Sequence, residues 1–368
     1  MFDSINLRTE YLKVKNVKTL FFYFLSIVFI PALIIISLNF ITSLLINNNF
    51  QDFEFSNLTN QNSEKILIPL HNDILAESIK YNTFNNKLTI SSTKYIYRVM
   101  PNPNNKIIHG YTGINNLGFR GENDLRVSDQ ATKKIVAFGD SCTFGWGIYN
   151  EHQTWPYLLQ DKLNAYGKKF KVINLGQPGY SSTQGRALFN DWIDNIKPNY
   201  VILNFGWNDL WHSDYLTDSQ LLKLLQHQNN PIFKFISTTS LYQFLKLYST
   251  KIMTPDQKQF RSQNPEKRRV PLEETISNFE FMIQKSRKIG AKVIILLSLY
   301  GKKINELENI DSLNLLIVDR FKNLAIIPNL ESLRHTSPSA ENFYSKDYFH
   351  FNSVGSTYIA EEFSKIIK

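Results

Sequence analysis

Cysteine is all but missing: one residue, Cys142, stands in 368. A single thiol excludes an intrachain disulfide, so an oxidising compartment is permitted but not demanded. It also excludes a metal cluster built on cysteines. No HExxH occurs, and His71, His109, His152, His212, His227 and His335 show no paired spacing, so neither a metal nor another cofactor is expected. Gly176-x-x-Gly179 is too short for a dinucleotide fingerprint. The strained elbow G-x-S-x-G is absent too, because Thr143 stands where its second glycine belongs. There is no tandem repeat. No dense basic run exists either, although the net charge is +9. Seven of those charges lie beyond residue 50 and are spread out, the densest cluster being Lys267-Arg268-Arg269. This pattern reads as a solvated basic face and not as a nucleic-acid site.

Charge itself is missing from Leu20 to Ile46, 27 residues reading LFFYFLSIVFIPALIIISLNFITSLLI. About 20 apolar residues span a bilayer core, and a cleaved signal peptide usually holds an apolar run of only about 7–15. No small-x-small cleavage site follows. Arg8, Lys13, Lys15 and Lys18 precede the run, and the NNNFQD that follows it carries no base. The positive-inside rule then predicts a cytoplasmic N-terminus (1–19), a transmembrane helix (20–46) in contact with the lipid bilayer, and everything later outside the cytoplasm. Pro31 and Asn39 are tolerable within such a helix.

Residues 47–132 are polar and Asn-rich, and read as an extracytoplasmic spacer and N-terminal extension. Within them, KLTISSTKYIYRV (87–99) has strand composition and GINNLGFRG (113–121) reads as a structured loop. From residue 133 the texture changes. Apolar runs of strand length (135–139, 171–176, 200–206, 292–299, 324–330) alternate with helical patterns (154–166, 182–197, 272–289, 309–323, 353–367). Near-continuous apolar strands separated by helices predict a parallel sheet covered on both faces. Residues 210–270 form a long insertion, expected to be helical at 218–228 and 238–250.

In such a sheet chemistry gathers where the strands end. Strand one ends in Gly139-Asp140-Ser141. Strand two ends in NLGQPG, strand three in Gly206-Trp207-Asn208-Asp209, and Asp347-Tyr-Phe-His350 precedes the last helix. Ser141 is the candidate nucleophile, His350 its base, and Asp347 the group that orients the imidazole. The Ser141 and Gly179 backbone N–H groups and the Asn208 side-chain amide are candidate oxyanion donors. Asp140 reads as a helix cap, Cys142 as a buried filler, and Asp209 as a brace for its loop. Trp207 and Trp211 are candidate substrate contacts, with packing as the alternative role.

GDS, Gly179 within NLGQPG, GWND and DYFH resemble, in order and spacing, the four blocks of the SGNH (GDSL-type) hydrolase superfamily. The resemblance covers residues 133–368. It implies a flavodoxin-like three-layer α/β/α fold with a central parallel sheet, and ester hydrolysis or acyl transfer on oxygen. In that family the last block supplies both Asp and His, which assigns those roles to Asp347 and His350. The usual leucine of GDSL is replaced by Cys142. GINNLGFRG is similar to a segment found ahead of the catalytic blocks in some membrane-anchored bacterial members, where it is expected to wall the cleft. The expectation is a membrane-anchored extracytoplasmic serine esterase acting on O-acyl esters, first of all O-acetyl groups of a cell-envelope polysaccharide. The alternatives are an O-acetyltransferase on a surface polysaccharide, a lipase or thioesterase, and a catalytically silent polysaccharide-binding or assembly protein.

Overall fold

A computed structural model describes residues 30, 33–38 and 41, then 88–227 and 268–367 with gaps at 93, 105, 122–131, 166, 168, 212, 214–215 and 303–307. The chain divides into two units, Met1–Pro69 with Gln228–Gln259, and Leu70–His227 with Phe260–Lys368. In the first unit the described residues 30, 33–38 and 41 are helical, and Ile34, Ile35 and Ile36 expose their side chains. Among the described residues no helix is long and apolar enough to cross a membrane. Most of 20–46, and the helix expected over 238–250, lie outside the described residues.

The second unit is built on four parallel strands: β3 (Lys133–Gly139), β4 (Phe170–Asn174), β5 (Tyr200–Asn204) and β6 (Lys292–Ile295). Their order is β4-β3-β5-β6. Every residue of β5 is buried, as are the last five of β3, because helices cover both faces and leave no strand position for a polar side chain to reach water. The fifth expected strand, 324–330, shrinks to a single parallel bridge, Ile294 with Ile326. Pro328 lies two residues on and has no N–H with which to continue a ladder.

The helices are α1 (Ser141–Phe144), α2 (Trp155–Asn164), α3 (Ser182–Ile196), α4 (Asp218–His227), α5 (Leu272–Lys288), α6 (Glu308–Phe321) and α7 (Ser353–Ile366). α2 packs on α7 in one layer, and α3 packs on α5 in the other. Trp155 meets Phe363 in the first layer at 5.5 Å between ring centroids; Phe138 of β3 meets Phe189 of α3 at 5.0 Å. The fold is therefore three-layered α/β/α. Helix starts follow local chemistry. Ser181 and Gln184 form a reciprocal capping box on α3, and the Asn352 side chain accepts from the N–H groups of Val354 and Gly355 at the start of α7.

Residues 88–121 belong to this unit. β1 (Thr89–Ser92) and β2 (Ile96–Val99) form an antiparallel pair. The Gln177 side chain fastens β2 to the domain, accepting from the Val99 N–H at 2.8 Å and donating to the Gly118 carbonyl at 2.9 Å. The strand composition of 87–99 thus corresponds to a real antiparallel pair packed on the domain.

Candidate active site

The order β4-β3-β5 makes the carboxyl end of β3 the point where successive connections diverge, the place at which open parallel sheets form their crevice. Ser141 stands there. β3 ends at Gly139, where a side chain would meet Thr143 Oγ1 at 2.1 Å. Asp140, fully buried, caps the one-turn α1 by accepting the Cys142 N–H at 2.8 Å. Gly145, at φ +85°, closes the turn with its N–H on the Ser141 carbonyl at 3.0 Å.

The Asp–His segment comes to the same point as a compact turn. Its ends are tied by the Ser345 N–H on the His350 carbonyl at 2.7 Å and by a bridge between Tyr344 and Phe351. Tyr348 takes the left-handed conformation, φ +65°, and allows Asp347 to fold back on its own loop. One Asp347 oxygen accepts from the Phe349 and His350 N–H groups at 3.2 and 3.0 Å, and the other lies 2.7 Å from His350 Nδ1. His350 Nε2 lies 2.8 Å from Ser141 Oγ. An ionised carboxylate can only accept, so Nδ1 carries the proton and Nε2 of the neutral ring accepts from the serine hydroxyl. Burial works to raise the Asp347 pKa, but the hydrogen bonds and charge it shares with His350 outweigh it and hold the carboxyl below its ordinary value. The group that orients the ring therefore stays anionic, the state that favours an imidazolium beside it. His350 is nearly buried, and Phe349 and Trp146 flank it, with ring centroids at 4.2 and 6.3 Å.

Of the candidate oxyanion donors, Asn208 bonds the neighbours of the other two, Asp140 beside Ser141 and Tyr180 beside Gly179. Among the described residues, the Ser141 and Gly179 N–H groups meet no acceptor. Asn208 differs: its amide nitrogen donates to the Tyr180 carbonyl at 3.0 Å and to Asp140 Oδ2 at 3.3 Å. Both its protons have acceptors at rest, and the longer bond, to Asp140, is the one an incoming oxyanion can replace. Burial, opposed by the Cys142 N–H and helped by Asp209, pushes the Asp140 pKa up to about 7. Asp209 is likewise buried and raised to about 6. It accepts from the Ser182 N–H and from Thr275 Oγ1, the bracing expected of it. Cys142 is a buried filler whose thiol points to the Phe349 carbonyl at 3.5 Å.

The two tryptophans part company. Trp207 is buried against Tyr300 and Phe349 and has no open face for a ligand. Trp211 is 51% exposed.

Two residues have parts at the site that sequence reasoning did not assign. Arg120, the last side chain of GINNLGFRG, is buried and donates to the carbonyls of Thr112, Phe144, Gly145 and Tyr149, of which Phe144 and Gly145 end the Ser141 turn. Its guanidinium lies over the rings of Tyr111 and Phe144, and burial lowers its pKa to about 10. Arg269, read in sequence as part of a solvated basic face, is instead buried and paired with Asp218 at 2.8 Å. For Arg120 the signal was present, a lone arginine among three glycines next to the catalytic blocks. For Arg269 there was none.

Known proteins resemble the chain. The model of the GDSL-like lipase/acylhydrolase family matches residues 137–357. An arylesterase of Vibrio mimicus is 33% identical over 85 residues, 23% of this chain and 42% of the relative. Esterase TesA of Pseudomonas aeruginosa is 29% identical over 85 residues, with the same shares. The chain thus spans less than half the length of the curated relatives it matches. Solved structures with a similar course include TesA (17% identity, TM-score 0.41, 64% of this chain and 98% of that one) and the acetylxylan esterase Axe2 of Geobacillus stearothermophilus (15% identity, TM-score 0.42, 63% and 93%).

Proposed function

The chain belongs to the GDSL-like lipase/acylhydrolase family, and from that premise we propose that it is a serine esterase whose working parts are Ser141, His350 and Asp347. The observation that carries the proposal is the unbroken hydrogen-bonded chain from Asp347 through His350 to Ser141 Oγ at the end of β3. His350 removes the Ser141 proton as Oγ attacks the ester carbonyl. The resulting oxyanion takes the N–H groups of Ser141 and Gly179 and one amide proton of Asn208. His350, now an imidazolium beside anionic Asp347, returns the proton to the leaving alkoxide and releases the alcohol. Water then repeats the sequence on the acyl-serine and frees the acid.

The substrate class we propose is an O-acyl, first of all O-acetyl, ester of a cell-envelope carbohydrate, met outside the cytoplasm by a domain anchored through residues 20–46. Support for the anchor is the uncharged 27-residue run, its basic N-terminal flank, and the exposed isoleucines of its described helical residues. Support for a sugar ester is the exposed ring of Trp211, together with the outside location proposed here.

The deciding measurement for the chemistry is labelling by a fluorophosphonate together with hydrolysis of 4-nitrophenyl acetate. Ser141→Ala should abolish both in a protein that still melts cooperatively; near wild-type labelling would leave the Gly-Asp-Ser turn with a structural role only. For the anchor, the chain should stay in membranes through an alkaline carbonate wash, and a reporter fused after Lys368 should work only outside the cytoplasm. Release of a shortened soluble form would replace the anchor with a cleaved leader.

A further inference from the structure

The Gly179 N–H is useful only if the turn that carries it is held still. That turn is Gln177-Pro178-Gly179-Tyr180, closed by the Tyr180 N–H on the Gln177 carbonyl at 3.2 Å. Proline in its second place and glycine at φ +75° in its third are the type II pattern. A Cβ at 179 would stand 2.5 Å from Tyr97 Oη, so the position excludes side chains on both counts. Gln177 anchors the entry of the turn through Val99 and Gly118. Its middle is anchored from the far end of the insertion. Arg269 Nη1 donates to the Gly179 carbonyl at 3.0 Å, while Nη2 donates to Gln184 Oε1 and Asp218 Oδ2, both at 2.8 Å. Asp218 in turn accepts from Ser181 Oγ at 2.6 Å, one residue past the turn.

We propose that Arg269, fixed by Asp218, is a positioning residue for the oxyanion hole: it sets the place of the Gly179 turn and so the aim of the Gly179 N–H. The inference rests on the esterase reading above and adds a residue pair to it. Arg269 touches no substrate. Its charge is already answered by the Asp218 carboxylate, which outweighs the effect of burial and holds the guanidinium above its ordinary pKa. Its contribution is therefore geometric. A planar fork of donors can meet Gly179, Gln184 and Asp218 together in one fixed arrangement; a lysine ammonium carries the same charge without that geometry. The link also joins Asp218 and Arg269, 51 residues apart in sequence, beside this turn.

The test uses the full chain in detergent and two substrates, 4-nitrophenyl acetate and its thiono analogue, in which sulfur replaces the carbonyl oxygen and fits an oxyanion hole poorly. Arg269→Lys should fold, lower kcat by about tenfold with little change in KM, and reduce the preference for oxygen over sulfur in step, as a blunted oxyanion donor requires. Arg269→Ala should lose more, and added guanidinium should restore part of it. Wild-type kcat in Arg269→Lys overturns the proposal. So does a fall in kcat with the oxygen preference intact, which marks a general loss of order. Failure of both variants to fold overturns it too, since the pair would then be a staple of the whole domain. A wild-type chain inert toward both the ester and a fluorophosphonate is a different result: it removes the esterase reading itself.

Discussion

Asn208 already holds two acceptors at rest, the Tyr180 carbonyl and Asp140, so the oxyanion role proposed for it requires an exchange of partners. Asn208→Ala should lower kcat on 4-nitrophenyl acetate by about 10²–10³-fold, the usual effect of removing one oxyanion donor. The same substitution removes the brace between two loops and should cost about 1 kcal/mol of stability in a urea melt. Unchanged turnover would take Asn208 out of the site. At this scale the sequence is legible where a residue type and its neighbours state the chemistry together, as in DYFH, whose two functional members lie on one turn. It is illegible for Arg269. An arginine in a basic cluster reads as solvated unless its carboxylate is known, and Asp218 stands 51 residues earlier. The sequence also does not reveal that Trp207 turns inward, because an indole serves equally as packing and as platform.

The elements were legible where burial on both sides forces an apolar run, as in β3 and β5. The fifth run fell short because an apolar segment needs N–H groups as well as hydrophobicity to join a ladder, and Pro328 removes one. Segment 88–121 is legible in part: composition declares its strands and its structured loop but not what holds them to the catalytic domain. Arg120 ties it to the Ser141 turn and the residues after it by three hydrogen bonds, to the carbonyls of Phe144, Gly145 and Tyr149. Arg120→Met keeps the length of the side chain and its cover over Tyr111 and Phe144 but leaves the Thr112 and Phe144 carbonyls without a donor among the described residues, while those of Gly145 and Tyr149 keep the Ile148 and Thr112 N–H groups. Each buried group so stranded costs about 1–3 kcal/mol before relaxation, so a fall of several kcal/mol in a urea melt is expected. The fluorophosphonate labelling rate should fall as well, because the Ser141 turn loses its outer support. A variant that melts and labels like wild type would reduce this segment to a passive cover.

Across the whole molecule, two buried carboxyls shape the response to pH. Asp140 and Asp209 have folded pKa values of about 7 and about 6, above the 3.8 of an open carboxyl. The folded state thus holds these protons more tightly than the unfolded state does. Their stabilisation is complete below pH 3.8 and is lost as pH rises through 6 and 7. Asp347, held below its ordinary value, works oppositely: its contribution is present above 3.8 and lost as pH falls below it. Melting temperature should therefore decline from mildly acid pH toward pH 8. Asp140→Asn, which keeps the cap and removes the titration, should flatten that decline; parallel profiles for the two proteins would show that Asp140 does not titrate in this range.

Cys142 gives the molecule one more property. The sole thiol of the chain is sealed beside the nucleophile, its sulfur on the Phe349 carbonyl and its pKa raised by burial and by the carboxylates of Asp140 and Asp347. A thiol reagent has nothing else to modify, and it reaches this sulfur only when the α1 turn and the His350 loop separate. The protein thus carries its own clock for the opening of its catalytic centre. The rate at which it takes up such a reagent measures how often those two loops come apart, without the introduction of any label.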